Sequence, residues 1–137
     1  MIINAEDLIL GRLANFAAKK SLLGEEIIIV NSEKAIITGS KKIIEAKYKK
    51  RKEWIDPFQG PFYPYRPDRL VRRTIRGMLP WSKDRGRDAF KRIKCYIGIP
   101  DEFKEKKLET IKQAHISKTK TLKHITLEKL SRQIGWK

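Results

Sequence analysis

Between Arg66 and Gly98 the sequence RPDRLVRRTIRGMLPWSKDRGRDAFKRIKCYIG carries two helical patterns at once, and they leave little choice of packing. Val71, Ile75, Met78 and Leu79 fall at i, i+4, i+7 and i+8, so they share one side of a 3.6-residue helix. Arg69, Arg72, Arg73 and Arg76 fall at i, i+3, i+4 and i+7 and share another. Pro67 suits the first turn, where its missing N–H costs nothing, and Asp68 faces the positive helix end. Pro80 stops the helix. Such a helix buries one side in a core and turns the other toward anions. A solvated face usually mixes acids with bases or favours Lys, whereas Arg offers a planar fork suited to phosphate oxygens and to stacking on bases. The expectation is a nucleic-acid surface, with a merely soluble face as its alternative.

Charge supports the first reading. The formal net charge is +16, and residues 41–94 hold 18 basic against 6 acidic side chains, which is +12 of that excess. A uniformly solubilising charge would not concentrate in this way, and the imbalance draws the chain to polyanions. The run Lys49, Lys50, Arg51 and Lys52 is a second phosphate-facing candidate, with a merely charged helix end as its alternative. At 137 residues, 40% of them hydrophobic, the chain fits one domain able to bury roughly two-thirds of its unfolded surface. It does not read as a disordered basic tail.

Short apolar runs alternate with helical patterns. Strands are expected at Met1–Asn4, Ile27–Val30, Ala35–Ile37 and Lys94–Ile97. The β-branched runs suit a parallel sheet covered on both faces. Helices are expected over Gly11–Leu23 with Gly24 as a left-handed cap, from Ser40 to about Arg51, over the arginine segment, and from about Ser82 to Arg92 with Ala89 and Phe90 inward. The result is an α/β three-layer sandwich: a small, mainly parallel four-stranded sheet with helices on both faces. The body spans about residues 1–100. A helical C-terminal tail follows, with a possible helix over Lys104–Gln113 and a clearer one at Leu127–Ile134, all within a single domain.

Residues 53–67, EWIDPFQGPFYPYRP, break the pattern with four prolines among aromatic rings, and read as a rigid extended loop. Phe62, Tyr63 and Tyr65 could stack on bases or pin the loop to the domain; Trp54 and Phe58 lean toward the structural reading.

Catalytic readings are poor. Leu10-Gly11-Arg12-Leu13 has one glycine where a pyrophosphate cradle needs several, and Thr38-Gly39-Ser40-Lys41 lacks the spacing of a phosphate loop. His115 and His124 have no ligand-spaced neighbours, and Asp84 and Asp88 sit among Arg85, Arg87, Lys91 and Arg92 as intrahelical ion pairs. Cys95, the only cysteine, reads as a packed hydrophobe in a thiol-permissive cytosolic setting. No apolar run would span a bilayer, and no secretion signal or metal site is expected. An RNA-processing enzyme and a DNA-architectural protein remain as rivals to an RNA-binding scaffold.

Gly77-Met78-Leu79-Pro80, then Gly86-Arg87, Phe90 and Lys94-Cys95-Tyr96-Ile97-Gly98, resemble the signature of the L-thirteen family of large-subunit ribosomal proteins. Asp7 with Leu10-Gly11-Arg12-Leu13-Ala14, and Val30-Asn31-Ser32-Glu33-Lys34 through Thr38-Gly39-Ser40-Lys41, match it in the same order. The resemblance covers about residues 1–100, and the Pro/aromatic loop and the start at the first strand look archaeal in type. It implies a cytoplasmic architectural and assembly role as a monomer within the large subunit. It also implies contact with rRNA and neighbouring ribosomal proteins, without catalysis, cofactor, membrane or small-molecule substrate. By motif position it implies rRNA contact at Arg66, Arg69, Arg76, Lys83 and Arg87. Helix geometry adds Arg72 and Arg73, the charge run adds Lys49–Lys52, and Arg85 lies in the same basic stretch.

Overall fold

The computed structural model describes residues 1–54 and 58–137, so positions 55–57 of the expected loop lie outside the described residues. Strand β2 (Ile27–Val30) is the centre of the molecule. It pairs in parallel with β1 (Ile2–Asn4) on one side and β4 (Ile93–Cys95) on the other, giving the order β1-β2-β4. Ile3 pairs with Ile29, and Ile29 with Cys95, so these side chains form one row. Ile27 and Ile93 form the next row on the same face, and Ile3, Ile27, Ile29 and Ile93 are all fully buried. The opposite face is closed at Val30 and opens at Lys94, with Ile2 and Ile28 half-buried between.

Parallel neighbours need crossovers, and helices supply them. Helix α1 (Leu10–Leu22) joins β1 to β2 and buries Leu10, Leu13, Ala14, Ala17 and Ala18. Its small residues let α3 (Pro67–Arg76) and α4 (Asp84–Lys91) lie against it. Gly24 follows with φ 99°, the left-handed conformation expected of it. Gly86 is needed for a different reason: a Cβ there would sit 2.2 Å from the Pro80 carbonyl oxygen. Only a bare Cα lets α4 fold back so closely on the turn that ends α3.

The α/β class stands, but the four-stranded sheet resolves into three strands plus two. Strand β3 (Ile36–Thr38) does not join the parallel sheet. It pairs antiparallel with β5 (His124–Thr126), Ile36 opposite Thr126 and Thr38 opposite His124. The cause is the tail, which packs as part of the body. Ala114, Ile125, Leu127, Leu130 and Ile134 belong to the main hydrophobic core. Helix α5 (Leu127–Ile134) begins at Thr126, whose hydroxyl accepts from the Lys129 N–H, and ends at Gly135 with φ 113°. Over Lys104–Gln113, where the sequence suggests helix, the chain runs in turns along the free edge of β1. The Glu109 N–H donates to the Ile2 carbonyl and its carbonyl accepts from the Asn4 N–H, both at 2.9 Å. Edge pairing satisfies the backbone there in place of a helix.

Helix α2 (Lys41–Glu53) starts after Ser40, whose side chain makes no capping bond; it buries Ile44 and packs on α5. Helix α3 is one turn shorter than its apolar pattern suggests. It ends at Arg76, so Leu79 returns to the core while Met78 is 43% exposed instead of sharing the buried face.

Candidate nucleic-acid interface

Helix α3 has the two sides that its sequence demands. Leu70, Val71 and Ile75 are buried against α1 and β4, and Arg69, Arg72, Arg73 and Arg76 are exposed. The four arginines line a single open cleft of about 390 Å³, with Phe62 and Pro64 of the loop and Phe90 of α4 completing it. None of the four forms an ion pair with a carboxylate among the described residues.

Three of these side chains rest on the protein's own aromatic rings. The Arg72 guanidinium lies 4.5 Å from the Phe90 ring centre, Arg73 lies 4.4 Å from Tyr63, and Arg76 lies 4.6 Å from Trp81. Trp81 and Phe90 are themselves locked edge to face at 5.2 Å. A guanidinium stacked on a ring keeps its N–H edge available, and the ring restricts the long side chain to few rotamers. The charge is therefore held in place before any ligand arrives. Phe90, expected inward, is half-buried and serves as a platform, as does Trp81. Nothing in the spacing of Arg76 and Trp81 announces that partnership, because it depends on the turn at Gly77–Pro80.

Tyr63 links this face to α2. Arg51 stacks 5.6 Å from the same ring that carries Arg73, and its Nη1 donates to the Tyr63 hydroxyl at 3.2 Å. Tyr48 meets Tyr63 edge-on at 5.9 Å. Burial pushes the Tyr48 hydroxyl up to about 12, so it stays protonated through the neutral range. Among the candidate stacking rings, Tyr63 is thus engaged by the protein on its own side, whereas Phe62 is 67% exposed at the cleft and Tyr65 is also exposed.

The remaining basic candidates are dispersed. Lys49 is exposed, Lys50 sits 5.3 Å from the Trp54 ring, and Lys52 reaches across to α5, where its Nζ donates to the Ile134 carbonyl at 2.7 Å. That bond caps the carboxyl end of α5. Arg66 pairs with Asp68 at 3.2 Å and Arg87 with Asp84 at 2.9 Å. Asp88 pairs with Lys91, the hydrogen bond holding its carboxyl below the usual range. Lys83 and Arg85 are exposed and without an ion pair among the described residues.

The cysteine and histidines have structural surroundings. Burial pushes the half-buried Cys95 thiol up to about 12, which makes it a packed side chain and a poor nucleophile. His115 Nδ1 accepts from the Ser117 N–H, and His124 Nδ1 donates to the Leu122 carbonyl at 2.8 Å. Among the described residues no group of three or more His, Cys, Asp or Glu is placed to hold a metal, and no helix is long and apolar enough to cross a membrane.

Residues 1–102 match the family described as ribosomal protein L13. The chain belongs to that family. It is similar to large ribosomal subunit protein uL13 of Methanopyrus kandleri, 46% identical over 137 residues, which spans 98% of this chain and 86% of that protein. The uL13 proteins of Methanosarcina barkeri and Methanocaldococcus jannaschii are also 46% identical, each covering 99% of this chain and 98% of their own. These archaeal L13 relatives align beyond residue 102, so the segment that carries β5 and α5 is shared with them. L13 proteins are structural and not enzymes.

Proposed function

We propose that this constituent of the large ribosomal subunit binds and braces large-subunit rRNA through the α3 arginine face, within the cytoplasmic ribosome and from an early stage of subunit assembly. The observation that carries the reading is the cleft in which Arg69, Arg72, Arg73 and Arg76 converge without carboxylate partners among the described residues. Three of them are preset on rings, so little side-chain entropy remains to be lost when a phosphate binds. Lys49, Lys50, Arg51, Lys83, Arg85 and Arg87 extend the cationic surface toward neighbouring strands.

Folding rRNA brings phosphates together against their repulsion. A rigid cationic wedge lowers that cost and fixes the spacing of the strands it touches. The A-form major groove is too narrow for a helix to enter, so recognition rests on phosphates, 2′-hydroxyls and strand shape. The test is the salt dependence of binding to rRNA fragments. With about eight phosphates neutralised, log K falls against log salt with a slope near −6 to −7. A slope shallower than about −2 means that the basic face is not the contact surface.

A further inference from the structure

Beside the arginine cleft lies a second concavity of about 710 Å³. Its floor is apolar, formed by the buried Leu10 and Ile36. Its walls are the rings of Tyr48, Trp54 and Tyr63, and its rim carries Arg51 and Arg73. We propose that this groove receives one unpaired RNA base, extruded from the strand whose phosphates lie along α3. The assignment rests on the rRNA-binding reading of the arginine face and names what that strand must contribute.

Three observations select the ligand. The floor is apolar and offers a phosphate nothing, whereas an aromatic wall suits the π-face of a base. The Tyr48 and Tyr63 rings already carry Arg51 and Arg73, which leaves Trp54 as the wall for stacking. Paired bases stay stacked inside a helix, so only a looped or bulged nucleotide can put its base into a recess. The rim is cationic: Arg51 and Arg73 lie on the same Tyr63 ring, and neither pairs with a carboxylate among the described residues. An apolar recess with a guanidinium rim fits a ligand that joins a ring to an anionic backbone.

The third observation is continuity. Arg73 lines both the groove and the arginine cleft. A phosphate held by Arg73 in register with Arg69, Arg72 and Arg76 leaves its adjoining base at the groove mouth. Trp54, 69% exposed and with Lys50 over its ring at 5.3 Å, is the wall on the far side and the ring on which that base can stack.

The test titrates the full chain with three RNA hairpins that differ at one position: fully paired, carrying one bulged adenosine, or carrying an abasic residue at the bulge. The adenosine bulge is expected to bind about tenfold tighter than the other two, in line with one base stacked on aromatic side chains. Gly11 lines the groove, and a Cβ added there meets no atom within 4 Å, so a side chain has room to fill the space. Gly11→Phe should bring the adenosine bulge down to the abasic level while leaving the paired hairpin and the melting temperature unchanged. Trp54→Ala, at an exposed position, should remove most of the same increment. Equal affinity for the adenosine and abasic bulges, with salt-sensitive binding of all three retained, overturns the groove assignment. It leaves the arginine reading in place and the recess to a segment of a neighbouring protein. Failure to bind any of the three hairpins counts against the rRNA reading itself.

Discussion

The α3 arginines and the basic run at the end of α2 carry four cationic side chains each, yet the fold treats them differently. Each of Arg72, Arg73 and Arg76 lies on a ring anchored elsewhere in the domain, and all four arginines open on one cleft. The lysine run scatters: Lys49 points to solvent, Lys50 leans on Trp54, and Lys52 is spent on the end of α5. Arg51 alone is drawn into the ring system, through Tyr63. The lesson is that local charge density does not define a binding surface. What defines it is whether each charge is held in place, and a planar guanidinium stacked on a ring keeps a forked edge for a phosphate that a point-charge ammonium does not offer.

This contrast can be broken in three ways. The largest effect is expected from Arg69, Arg72 and Arg76 changed together to Glu. Affinity for rRNA fragments should drop by about a hundredfold or more at moderate salt, while the exposed positions leave the thermal melt within a few degrees. Incorporation of this variant into large subunits at the normal level would sink the assignment of α3. Next comes a charge-preserving exchange. Arg72, Arg73 and Arg76 changed to Lys should weaken binding about five- to tenfold through lost stacking and lost forked contacts, whereas Lys49 and Lys50 changed to Arg should shift it by less than about twofold. Equal responses at the two sites would mean that preset geometry is irrelevant. The smallest effects separate the lysines from each other. Lys49→Ala should reduce the salt slope by about 1, the loss of one phosphate contact. Lys52→Ala should leave that slope alone and instead cost about 1 kcal/mol in denaturant unfolding, through loss of its bond to the Ile134 carbonyl.

Much of this was legible where the information is local. The two interleaved periods of α3 placed Val71 and Ile75 inward and the arginines outward, and Leu127, Leu130 and Ile134 marked α5 correctly. The run Ile27–Val30 announced a covered parallel strand, and it pairs in parallel on both sides. Pairing was not legible, because a strand does not encode its partner. Ile36 and Ile37 read as strand, but their mate, His124–Thr126, has one buried residue, Ile125, between two polar neighbours, and gives almost no signal. The expected helix near Lys104 failed for a related reason: the open edge of β1 took the backbone of Glu109. Met78 left the buried side because the chain turns at Gly77, one residue after the helix ends. For the interface, charge and helical period located the arginines, but the rings beneath them come from the loop, from the turn after α3 and from α4, which reach the arginines only in the folded chain.

The antiparallel pairing of β3 with β5 also sets an order of events during synthesis. The polypeptide emerges from its amino end, so β3 waits with an unsatisfied edge until residues 124–126, about 90 positions later, have been made. Throughout that interval the newborn molecule already displays its cationic helix while part of its interior stays uncovered. Polyanions can therefore meet it before it has finished folding.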